Sequence, residues 1–114
     1  MEKKYIVLPH KGSEIVVEEQ EICYIERANR ITNLHLTDQI IEVAEKLSDI
    51  EKYLNKDIFV RCHNSFIVNF EKVRRFDRSE FIMRNGESVS ISRSRYSEVK
   101  ERFDKWAAMQ RLGE

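Results

Sequence analysis

The stretch FVRCHNSFIVN at residues 59–69 restricts the fold more than any other part of the chain. It begins as an alternating run, breaks at His63-Asn64-Ser65, and resumes as the apolar triplet Phe66-Ile67-Val68 before Asn69. Period-two alternation marks a half-buried strand, with Val60 and Cys62 on one side and Phe59, Arg61 and His63 on the other. Asn64-Ser65 offers the backbone a place to turn and carries an amide on a short stem. A polar turn set between two buried segments is held firmly. That suits a recognition residue better than a metal site or a nucleophile.

Short alternating runs recur on both sides of this stretch. Residues 4–8 and 14–17 flank Gly12-Ser13 as a hairpin, whose first strand stops at Pro9 because proline cannot donate to a ladder. The acidic residues 18–21 read as a solvated connection, and residues 22–26 as a strand rich in β-branched and aromatic side chains. Residues 27–30, Arg-Ala-Asn-Arg, read as a turn carrying two guanidinium groups. Residues 31–37 alternate with Leu34 and Leu36 inward and His35 outward, and residues 40–43 follow as another strand.

The period then changes. Ala44, Leu47, Ile50 and Leu54 recur at three- and four-residue intervals, which predicts a helix over residues 44–54. Strands are predicted at residues 73–76, 80–84 and 88–92, with Met83, Val89 and Ile91 in the core. Asn85-Gly86 predicts a type I′ turn between the last two, since both central positions of that turn need positive φ. From residue 94 the side chains of Tyr96, Val99, Phe103, Trp106 and Leu112 follow a helical stripe. Ser92 or Ser94 is placed to cap the helix start, and Gly113 to end it. Packing on the domain is the simpler reading of this helix, and a partner or dimer surface the alternative. The expected fold class is mainly β: about ten short strands, one short internal helix and a C-terminal helix, in one domain over residues 4–112.

Composition narrows the function. The chain has 114 residues, 41% apolar and 35% charged, as befits one soluble globular domain. No apolar run approaches a membrane span and no signal-peptide pattern is present, so the expected compartment is the cytosol. Cys23, Cys62 and the three histidines lack the local spacing of a zinc site, and the cysteines are expected to be reduced and buried. No metal and no cofactor is expected. Net charge is zero, but residues 1–60 hold 8 Lys/Arg against 12 Asp/Glu, and residues 61–95 hold 8 against 4. A neutral domain with that asymmetry can still present a basic face. No Gly-rich phosphate loop, HExxH or G-x-S-x-G is present, and the reading is not an enzyme.

These motifs carry a resemblance. Phe59, Arg61, His63, Ser65, Phe66, Ile67, Val68 and Asn69, followed by Lys72-Val73, resemble the LytTR (LytR/AlgR-type) family of DNA-binding domains of bacterial response regulators. Residues 22–26 upstream and residues 85–93 downstream match two further motifs of that family in the right order. The resemblance implies an elongated β-β-β sandwich that binds double-stranded DNA through loops and turns projecting from its sheets. It implies transcription regulation within a two-component system, with two copies on direct repeats and a monomer in isolation. The family's terminal helix is usually shorter than the one predicted here. No receiver domain precedes the motifs, so either an excised output domain or a free-standing regulator is expected.

Base readout needs matched donors and acceptors: arginine addresses guanine bidentately, and asparagine adenine. By resemblance, Arg30, Asn64 and Arg93 occupy the family's three principal DNA-contacting places. Asn29, Arg61, His63, Lys72, Ser94 and Arg95 are candidates for phosphate contact, with Arg61 and His63 equally suited to support the turn. Plainer readings stand beside these: Arg30 as a solvated turn residue, Asn64 capping its own turn, Arg93 paired with an acid on the last helix. The alternative function is a protein-interaction module on the same β fold with no DNA readout.

Overall fold

The computed structural model describes residues 3–111; Leu112 of the expected stripe and Gly113, the expected stop of the last helix, lie outside the described residues. The strands are β1 (Tyr5–His10), β2 (Ser13–Glu18), β3 (Ile22–Ala28), β4 (Ile31–Leu36), β5 (Ile40–Val43), β6 (Phe59–His63), β7 (Phe66–Asn69), β8 (Val73–Phe76), β9 (Glu80–Met83) and β10 (Ser88–Ser90). A short helix α1 (Leu47–Glu51) precedes β6, and α2 (Tyr96–Arg111) closes the chain. The mainly β fold with ten strands and a C-terminal helix matches the sequence expectation.

The alternation read in the sequence builds three layers. A central antiparallel sheet of order β5-β4-β3-β7-β6 lies between the β1-β2 hairpin and a three-stranded sheet of order β10-β9-β8. Adjacent residues of one strand face different layers. Ile25, Ile67 and Phe59 join a core with Ile6, Leu8 and Val17 of the hairpin and Leu47, Ile50 and Leu54 around α1. Tyr24, Val68, Val60 and Cys62 face the other way, onto Phe81, Met83, Val89 and Val99. The stripe of α2 is real: Val99 is buried, and Phe103 and Trp106 pack over Phe70 at ring-centroid distances of 5.5 and 5.7 Å. Arg102 ties α2 down by donating to the carbonyls of Lys56 (2.5 Å) and Phe59 (2.7 Å).

Several local expectations are corrected. β1 continues through Pro9, which pairs with Glu14 in a two-stranded sheet where a missing N–H is tolerated. Glu19 is not solvated: it is buried, accepts from the N–H of Asn55 at 2.9 Å and meets Lys4 at 3.2 Å. The helix does not begin at residue 44. Arg27 donates to the carbonyls of Ala44 and Glu45, both at 2.9 Å, and Thr32 donates to Glu45 as well, holding that segment extended. Residues 93–95 form a 3-10 turn ahead of α2, and Ser92 makes no side-chain cap there.

The left-handed turns also fall elsewhere than expected. Asn85 has no positive φ; the N–H of Gly86 reaches the carbonyl of Met83 at 2.9 Å, and Gly86 alone is left-handed, at φ 92°. That is a right-handed turn closed by a glycine bulge. Two-residue turns with both φ positive occur instead at Lys11-Gly12 (48° and 79°), between paired His10 and Ser13, and at Asn29-Arg30 (52° and 64°), between paired Ala28 and Ile31. A side chain with a Cβ in that region costs about 1–2 kcal/mol, least for asparagine. β3 therefore runs to Ala28, and the expected turn over residues 27–30 shrinks to its last two residues.

Candidate nucleic-acid interface

The Asn64 turn is built by its neighbours. Arg61 pairs with Ile67 and His63 with Phe66, so Cys62 is an extra residue that bulges β6 beside the turn. Neither Asn64 nor Ser65 is left-handed, and the bulge supplies twist that a right-handed two-residue turn lacks. Arg61 reaches over the bulge and donates to the carbonyls of His63 (2.9 Å) and Asn64 (2.6 Å). Burial, then the charge of Arg95, lowers the pKa of this guanidinium, while Glu51 at 3.7 Å opposes the shift. His63 Nδ1 accepts from the N–H of Ser65 at 3.0 Å. Both residues are thus engaged in shaping the turn, and Asn64 stands exposed at its tip.

Two other segments meet it. The N–H of Ser92 donates to the carbonyl of Cys62 at 2.9 Å, which brings the 3-10 turn Arg93–Arg95 alongside, and Arg95 donates to Oδ1 of Asn64 at 3.5 Å. The N–H of Arg27 donates to the carbonyl of Ser65 at 2.9 Å, so the Asn29-Arg30 tip projects from the same end of the central sheet. Arg93 and Ser94 are exposed, and Arg93 lies in a surface depression with Arg78, Tyr96 and Lys100. Among the described residues, the side chains of Arg30 and Arg93 have neither an ion-pair nor a hydrogen-bond partner. Lys72 is not brought to this cluster: it follows the other end of β7, a strand about 13 Å long at roughly 3.3 Å per residue.

Sequence reasoning missed the work of Arg27. Its Nη1 also donates to Thr32 Oγ1 at 2.8 Å, making it a clamp under the β3-β4 hairpin rather than a turn residue. The available signal was its position, one step beyond the alternating run of β3. Cys62, next to the turn, is fully buried, and burial pushes its thiol up to about 12. Its contribution to stability is therefore intact below the ordinary thiol value of about 8.5 and is lost as pH rises from there toward about 12. Cys23, expected to be buried, is only half-buried. At pH 8, iodoacetamide is expected to label Cys62 only after denaturation; labelling of Cys62 itself in the native protein at the rate of a free thiol would contradict this placement. Among the described residues no cluster of His, Cys, Asp or Glu is placed to hold a metal, and no helix is long and apolar enough to cross a membrane.

Comparison with known proteins decides the family. The family model described as the LytTr DNA-binding domain matches residues 12–104. The chain belongs to the LytTR family. LytTR relatives include the transcriptional regulatory protein LytR of Staphylococcus aureus, 30% identical over 90 residues that cover 75% of this chain and 37% of that protein. The sensory transduction protein LytT of Enterococcus faecalis is 27% identical over 104 residues, covering 87% of this chain and 39% of the relative. The chain therefore spans well under half the length of these two proteins. Among solved structures, the LytTr domain of a protein described as a methyl-accepting/DNA response regulator from Bacillus cereus superimposes with a TM-score of 0.72. It is 29% identical, over 90% of this chain and 97% of that one. The three-layer arrangement above is thus a LytTR fold.

Proposed function

We propose that this LytTR domain binds double-stranded DNA sequence-specifically, as the output domain of a bacterial transcription regulator. The observation that carries the reading is the meeting of three segments at one end of the central sheet, joined by the Arg27–Ser65 and Ser92–Cys62 backbone hydrogen bonds. Each segment presents a side chain suited to base edges: Arg30, Asn64 and Arg93. Asn29, Ser94 and Arg95 flank them as phosphate contacts, and Arg61 and His63 hold the turn. Lys72 stands apart at the far end of β7 and is the natural control. The regulatory names of the relatives support the output role. The domain is a monomer alone and binds direct repeats as two copies.

The test is fluorescence anisotropy on a duplex selected from a random pool and on a scrambled duplex. Asn64→Ala and Arg93→Ala are each expected to weaken the selected duplex by roughly 1–3 kcal/mol and to relax preference at one base position. Arg95→Ala is expected to weaken both duplexes equally and to lower the salt dependence by about one contact. Folded Asn64→Ala and Arg93→Ala proteins that keep full preference would remove this face from DNA recognition. A protein-interaction module would show no sequence-dependent duplex binding at all.

A further inference from the structure

Two hairpin tips, not one, point from the region of Arg30. The Lys11-Gly12 tip of β1-β2 and the Asn29-Arg30 tip of β3-β4 line one surface depression, where His10, Lys11, Arg30 and Glu42 stand around a floor that includes Ile31 and Val43. The two tips share an unusual composition. A two-residue turn with both φ positive is best served by Asn followed by Gly. The first tip keeps the glycine and puts a lysine in the asparagine's place; the second keeps the asparagine and puts an arginine in the glycine's place. In each case a cation holds a left-handed position that a smaller residue would fill with less strain. Neither cation is engaged by the protein: among the described residues Lys11 and Arg30 have no ion pair, and Glu42 makes none with either. Strained backbone that positions an uncompensated charge is a feature of ligand-binding tips rather than of stability.

We propose that Lys11 is a phosphate-contacting residue, and that the β1-β2 tip is a second finger on the duplex beside the Arg30 tip. This rests on the duplex-binding reading above and extends it to a residue just outside the family match of residues 12–104. The chemistry is that of a compact ammonium against a backbone phosphate: a point charge that positions the protein and reads no base. Arg30 and Lys11 thereby divide the work. The planar guanidinium faces the groove, and the ammonium meets the strand that borders it.

Lys11→Asn tests this without endangering the fold, because asparagine tolerates the left-handed turn and removes the charge. Anisotropy titrations of selected and scrambled duplexes from low to physiological salt are the measurement, with Lys11→Arg as the charge-restoring control. The expected result for Lys11→Asn is affinity lowered about 3–10-fold on both duplexes alike and a salt slope shallower by about 0.9, with Lys11→Arg close to wild type. An unchanged slope, in a preparation whose wild type binds and whose Asn64→Ala variant is impaired, overturns the second finger alone. A loss confined to the selected duplex also overturns it, since that would make Lys11 a reader of bases. A wild type that binds neither duplex overturns the duplex-binding reading and this inference together.

Discussion

A Phe70→Ala protein is expected to lose about 3–5 kcal/mol of stability. Phe70 is fully buried, and its ring meets Phe81 at 6.1 Å, Phe103 at 5.5 Å and Trp106 at 5.7 Å. It stands just after β7, its N–H donating to the carbonyl of Ile58 at 2.8 Å, so its place is set by the central sheet while its ring belongs to the layer beneath α2. Truncation leaves a cavity between two layers that are each pinned elsewhere and collapse onto it poorly. A domain of this size has about 5–15 kcal/mol in total, so the loss is a large share of it. Trp106, the chain's single tryptophan, touches the cavity and reports urea unfolding by fluorescence. A midpoint within error of wild type would mean that α2 is held by Arg102 and Val99 without this aromatic cluster. Phe70→Leu, which fills most of the space, is expected to lose less.

Asn69→Ala is expected to lose about 2–4 kcal/mol, although it removes only an amide. Asn69 is fully buried; its Nδ2 donates to the carbonyl of Ile22 at 2.9 Å and its Oδ1 accepts from the N–H of Glu71 at 2.8 Å. The first bond ties the start of β3 to the end of β7, and the second caps the 3-10 turn Phe70–Lys72. Alanine leaves both backbone groups without that partner, and an unmatched buried group costs about 1–3 kcal/mol. Urea titration decides it: a loss below about 1 kcal/mol would show that water replaces the amide at both ends.

The strands were legible because alternation is a local signal, and at residues 73–76 the expected and observed bounds coincide. What failed was long-range. A proline would end a central strand, but nothing in the sequence around Pro9 shows that β1 lies in a two-stranded sheet, where it is tolerated. Ala44 sits in a helical rhythm, yet the Arg27 guanidinium, 17 positions earlier, holds its carbonyl and keeps the backbone extended. Glu19 looks solvated among acids until the fold brings Lys4 from upstream and Asn55 from downstream against it. At the candidate site, the Asn64 turn was visible because polar residues interrupt an apolar run. The distribution of roles around it was not, since Arg61 and Arg95 differ only in what the folded chain offers them: turn carbonyls for one, the Asn64 amide for the other. Left-handed turns at Lys11 and Arg30 also defied local rules, because those rules rank residues by turn stability alone.

A strand dry on both faces, as β7 is, gives up one safeguard. A strand with one wet face resists slipping, because a one-residue shift would carry its apolar set into water. On β7, Ile67 and Val68 are both fully buried, one in each core, so a slip would merely exchange them between two apolar layers. Hydrophobicity alone therefore leaves the alignment of β7 weakly determined. The buried amide of Asn69 distinguishes one alignment from the next, because only one places it opposite the Ile22 carbonyl. A slip by one residue would displace the strand by about 3.3 Å, more than the length of a hydrogen bond. The Asn64 turn thus inherits its position from an index mark at the opposite end of its own strand, sealed in the interior and far from any surface it could touch.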